Sequence, residues 1–114
     1  MVAILLTLAA LLPTQAEPAE VARIDALIKH VAELKDASFV RNGVAYDAAT
    51  AAKFLKGKWD TQKNEIGTAE AFIEKVASKS STTGKPYTIR FKDGKEVESR
   101  TYLLAELAKV KDGS

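Results

Sequence analysis

Between residues 18 and 37 the apolar positions Val21, Ile24, Leu27, Ile28, Val31 and Leu34 recur at steps of three and four. That spacing lines one face of a helix and predicts an amphipathic α-helix from about 18 to 37. Pro18 suits its first turn, where the missing N–H is not needed. Glu17 and Glu20 at its start and Lys35 near its end match the helix dipole. His30 lies beside Leu27 and Leu34 and reads as a residue at the edge of that apolar face.

The period then shortens to two. In "FVRNGVAYD" the pair Asn42-Gly43 can supply the two positive φ angles of a tight hairpin turn. Centred there, the hairpin sets Arg41 against Val44, Val40 against Ala45 and Phe39 against Tyr46. Helical spacing returns with Ala48, Ala51, Ala52, Leu55 and Trp59, Phe54 on the margin and Asp47 as the cap. Gly57 predicts a weak point or a bend in that helix. Thr68 is placed to cap a third helix over "AEAFIEKVASKS", with Ala69, Phe72, Ile73, Val76 and Ala77 inward.

Tyr87, Ile89 and Phe91 alternate with Thr88 and Arg90, which opens a second hairpin. A three-residue loop, Lys92-Asp93-Gly94 with Gly94 left-handed, opposes Phe91 to Lys95, Arg90 to Glu96 and Ile89 to Val97. A two-residue Asp-Gly loop would instead set Arg90 against Val97, losing both an ion pair and an apolar pair. Ser99 then reads as the cap of a last helix with Leu103, Leu104, Leu107 and Val110 inward, and "KDGS" as a frayed end. The expected fold is α+β: four amphipathic helices and two short antiparallel hairpins in the order α-ββ-α-α-ββ-α.

Ahead of these elements, Val2–Leu12 is an uncharged apolar run followed by Pro13 and Thr14-Gln15-Ala16. It has the order of a secretory signal peptide, although no Lys or Arg stands before the run. A run of eleven residues falls well short of the roughly 20 that span a bilayer. The expectation is a signal peptide at 1–16, cleaved after about Ala16, and a single exported α+β domain at 17–114. The other reading is a hydrophobic first helix packed in the core. An exported chain would keep no stable membrane span.

Charge and composition narrow the choice of partners. Seventeen basic against fifteen acidic residues leave a net +2, too little to predict a nucleic-acid surface. Lys53, Lys56, Lys58 and Lys63 cluster locally, as a solvated helix face or as a weak patch for an anionic envelope component. The chain has no cysteine, which excludes thiol catalysis, thiol redox chemistry and Cys-based zinc sites.

The stretch "SKSSTTGKPY" at 78–87 is the densest collection of polar groups. A phosphate-binding loop needs a second glycine four residues earlier, a Ser or Thr after the lysine, and a strand-to-helix order. Here Lys79 holds the first glycine position, Pro86 follows Lys85, and the order is helix to strand. None of Ser78, Ser80 or Ser81 has a lysine three residues on. The single histidine leaves neither a zinc motif nor a local Ser–His pair. No catalytic residue, cofactor or metal is expected. The loop reads as a connection, with Gly84 for an unusual backbone angle and Pro86 to start the strand. Its hydroxyls and lysine also suit a polar pocket for an anion or a sugar.

"FVRNG" at 39–43, "TAEAFIEKVAS" at 68–78 and "SSTTGKPY" at 80–87 resemble the YfeK-like family of small exported bacterial proteins. The likeness runs in order over nearly all of 17–114. It implies export in Gram-negative bacteria and a domain of unknown function, with no catalytic residues to carry over. The functional expectation is therefore a small periplasmic, non-enzymatic protein that binds an envelope ligand or protein. Its candidate contacts are Arg41, Asn42, Ser80, Ser81, Thr83, Lys85 and Tyr87. One alternative is an envelope-polymer hydrolase with paired carboxyls about 5 to 9.5 Å apart. Another is an inhibitor of an envelope enzyme.

Overall fold

A computed structural model describes residues 15–110. Among the described residues, four helices and four strands follow the expected order. Helix α1 spans Pro18–Ala32, strands β1 and β2 span Ser38–Arg41 and Val44–Tyr46, and α2 spans Ala48–Gln62. After a 3₁₀ turn at Lys63–Glu65 come α3 (Ala69–Val76), β3 (Thr88–Arg90), β4 (Glu96–Glu98) and α4 (Ser99–Leu107). The chain has an α+β fold. The apolar leader, apart from Gln15 and Ala16, and the terminal "KDGS" apart from its predecessor Val110 lie outside the described residues.

Both hairpins adopt the registers that their turns dictate. Phe39 opposes Tyr46, Val40 opposes Ala45 and Arg41 opposes Val44 around Asn42 (φ 51°) and Gly43 (φ 80°). In the second, Ile89 opposes Val97 and Arg90 opposes Glu96, with Phe91 N–H bonded to Lys95 O and Gly94 at φ 91°. The Arg90–Glu96 ion pair closes at 3.1 Å. The hairpins are not separate. β1 pairs antiparallel with β3, giving one sheet of order β2-β1-β3-β4. Three or four residues per strand give little independent stability, and this pairing supplies the support that each hairpin lacks alone.

The four helices and the 3₁₀ segment enclose the main core, in which Ile24, Trp59, Phe72 and Leu103 are fully or almost fully buried. Trp59 and Phe72 meet edge to face at 6.0 Å between ring centres. The sheet turns one face toward the helices through Phe39, Ile89 and Val97. Its other face carries Thr88 and Arg90, both bonded to Glu96. Glu20 in α1 ties the helices together: Oε1 accepts the N–H of Ala69 at 2.8 Å and Oε2 pairs with Arg23 at 3.0 Å. The Ala69 bond holds the Glu20 carboxyl below its ordinary pKa against the opposing effect of burial, and Arg23 adds to the lowering.

Several helix boundaries differ from the periodicity reading, and the last helix, expected to carry Val110, ends at Leu107. The first helix stops at Ala32 rather than near 37, because Glu33 and Leu34 close short backbone bonds to His30 and Val31 and the chain turns into β1. The third ends at Val76, where Ser78 Oγ donates to Ile73 O at 2.6 Å and Ser78 O accepts Tyr87 N–H. Ser99 is not a cap. Glu98 takes that position, and Ser99 is the first helical residue, buried, with its N–H bonded to Tyr87 O. Asp47 and Thr68 do cap their helices, accepting from the N–H groups of Thr50 and Ala71. α2 runs unbroken through Gly57, since packing of Leu55 and Trp59 on either side outweighs the local glycine penalty.

Candidate functional site

The turn after β1 and the loop at 78–87 are joined side chain to side chain. Asn42 Nδ2 donates to Ser80 Oγ at 3.2 Å, and Thr83 Oγ1 donates to Asn42 Oδ1 at 2.6 Å. The loop itself is a tight turn: Gly84 N–H bonds to Ser80 O, Ser80 N–H bonds to Lys85 O, and Gly84 takes φ 76°. Ser80 is only 4% exposed. Its Oγ hydrogen-bonds to Thr82 Oγ1 at 2.9 Å and accepts the N–H groups of Thr82 and Thr83 at 3.3 Å. These hydroxyls are engaged in holding the loop, which accounts for their density in the sequence. Ser81 and Lys85 stand exposed on its outer side.

Arg41 and Tyr87 go elsewhere. They line a half-open groove of about 150 Å³ between β1–β2 and α2. Register explains the arrangement: Arg41, Phe39 and Tyr46 share the helix-facing side of the sheet, as does Tyr87. The small Ala51 on α2 keeps the floor deep, and Phe54 forms the far wall. Phe54 and Tyr87 meet edge to face at 6.1 Å. No carboxylate lies among the described residues that line the groove. The nearby Asp47 directs its side chain to the Thr50 N–H.

Two cations converge on the Phe54 ring. The Arg41 guanidinium carbon lies 4.7 Å from the ring centre and the Lys58 ammonium 5.2 Å. Neither makes an ion pair among the described residues, whereas Arg23, Lys56, Lys63, Arg90, Arg100 and Lys109 each meet a carboxylate. Burial lowers the Lys58 pKa, and the charge of Arg41 lowers it further. Burial pushes the Tyr87 phenol up, with Arg41 pulling it part-way back.

Sequence reasoning missed Phe39, Tyr46 and Phe54 as groove walls, because their alternation and spacing read as ordinary packing positions. Lys58 carried a faint signal as part of the lysine cluster. That cluster disperses in space: Lys56 and Lys63 share Asp60 at 2.7 and 3.6 Å, while Lys58 turns to Phe54. Another depression, of about 330 Å³, lies between α1 and α4, lined by Glu33, Glu106 and Lys109 around His30. There His30 Nε2 and Tyr102 Oη are 2.7 Å apart, and Glu106 is 3.6 Å from His30 and 3.0 Å from Lys109. Among the described residues no three His, Cys, Asp or Glu side chains gather to hold a metal ion, and no helix is long and apolar enough to cross a membrane.

Residues 18–111 match the family described as a family of unknown function, DUF5329. The chain belongs to this family. It is also 50% identical, over 86 residues, to the uncharacterized protein YfeK of Salmonella typhimurium. That match covers 75% of this chain and 70% of the relative. No solved structure matches. The matched segment contains every element from α1 to α4, so the groove lies wholly within the family's span.

Proposed function

We propose that this chain is a small periplasmic protein without enzymatic activity, and that it binds an envelope ligand in the groove between β1–β2 and α2. The observation that carries the reading is the groove itself: the half-buried rings of Phe39, Tyr46 and Phe54 and the buried Tyr87 converge on one concave surface. Its lining offers shape and ring faces but no carboxylate to serve as acid or base. The apolar run Val2–Leu12 with its small-residue end supports export. The staple from Asn42 to Ser80 and Thr83 gives the residues around the groove a fixed frame, which lowers the ordering cost of binding.

Expression of the full chain, followed by N-terminal sequencing of the periplasmic fraction, tests the compartment; the expected first residue is near Glu17. The purified protein is then titrated by calorimetry with benzyl alcohol, a neutral compound of one ring. Saturable heat is expected, and Thr50→Trp, which fills the groove from an exposed helix position, abolishes it. Absent heat, or heat that Thr50→Trp leaves intact, overturns the groove as the binding site.

A further inference from the structure

We infer that the groove selects a small single-ring aromatic acid, with the ring seated among Phe39, Tyr46, Phe54 and Tyr87 and the carboxylate on Arg41, beside which Lys58 approaches the same Phe54 ring. This rests on the groove reading above and names the class of ligand. Size comes first. An apolar cavity of about 150 Å³ holds one benzene-sized ring, so the space measured here suits a monocyclic compound and not a long acyl chain. The walls suit the same guest. Phe54 and Tyr87 already stand edge to face at 80°, and a third ring can extend that packing.

Charge sets the other end of the ligand. Arg41 and Lys58 are half-buried, they approach one phenyl ring, and neither has a carboxylate partner among the described residues. Two like charges held together and partly withdrawn from water are unfavourable until an anion joins them. The effect is visible at Lys58, whose ammonium is destabilised first by burial and then by Arg41. The absence of carboxylates from the groove lining removes the repulsion that an incoming acid would meet. A guanidinium presents two parallel N–H donors to a carboxylate, which fixes orientation as well as affinity. Ring compounds that carry an ammonium group are disfavoured by the same field.

Three compounds of nearly equal shape separate the terms: phenylacetate, phenylacetamide and phenethylamine, each titrated into the full-chain product by calorimetry. Phenylacetate is expected to bind about tenfold more tightly than the amide, a difference of about 1.4 kcal/mol, and the amine more weakly than either. Added salt should narrow the gap between acid and amide. Arg41→Gln should bring the acid down to the amide's affinity while benzyl alcohol still binds, which also reports that the variant is folded. Lys58→Gln, on the helix surface, should produce a smaller loss of the same kind. Equal affinity for acid and amide in the unmodified protein overturns the inference and leaves the groove reading standing. Failure of benzyl alcohol and all three compounds overturns both.

Discussion

Asn42 and Thr83 face each other across 2.6 Å, although 41 residues separate them in the chain. Asn42 has two roles there. Its backbone takes the left-handed conformation that the β1–β2 turn requires, and its side-chain amide grips the loop before β3 at both ends. Asparagine is one of the few residues besides glycine that enters this region readily, and unlike glycine it brings a donor and an acceptor.

Asn42→Gly keeps the turn geometry and removes the grip, and Thr83→Val removes only the hydroxyl. Each is expected to lower stability by about 0.5 to 1.5 kcal/mol, toward the lower figure because the contact is exposed. The double variant should lose less than the sum of the two by about 0.5 kcal/mol. Urea denaturation of the four proteins measures this coupling. Simple additivity would mean that the two side chains meet without stabilising each other.

Gly57 and Gly84 should respond to alanine in opposite directions. Gly57 sits inside α2 with nothing within 4 Å of where a Cβ would stand, so Gly57→Ala should stabilise by about 0.5 to 1 kcal/mol. Gly84 also has open space, but its φ of 76° strains any side chain, and Gly84→Ala should destabilise by about 1 kcal/mol. Thermal melts distinguish them. A lowered melting temperature for Gly57→Ala would show that the helix needs the glycine for a reason other than space.

Acid should loosen the link between α1 and α3. Folding lowers the Glu20 pKa from its ordinary 4.5, chiefly through the Ala69 N–H, so its contribution is complete above that value. The contribution fades as pH falls through the lower folded value. Denaturation midpoints measured between about pH 6 and 2 should therefore fall less steeply in Glu20→Gln than in the unmodified protein. Parallel curves would assign acid sensitivity to other carboxylates, such as Asp47 at its helix cap or Glu74 beside Arg100.

Local chemistry was readable in the sequence wherever one turn or one cap decides the outcome. Asn42-Gly43 and Gly94 fix both hairpin registers from three or four neighbouring residues, and Asp47 and Thr68 cap from within a single turn. The pairing of β1 with β3 was not readable, because strands this short carry no pattern that names a distant partner. Helix ends were misplaced where a backbone group had a tertiary use: Ser99 N–H serves Tyr87, and Ser78 serves both Ile73 and Tyr87. Of the candidate contacts, Asn42, Ser80 and Thr83 come together as a staple, and Arg41 and Tyr87 come together in the groove. The groove could not be foreseen, since its walls belong to two elements whose relative placement depends on the whole core.

The sheet order also bears on how the polypeptide is made. β1 shares one margin with β2, but its second neighbour, β3, is synthesised only after α2 and α3. Until Thr88–Arg90 are available to pair, that margin of β1 is an unpaired row of amides and carbonyls able to join another extended segment. The half-made protein is thus stickier than the finished one, and the arrival of one three-residue strand ends that exposure.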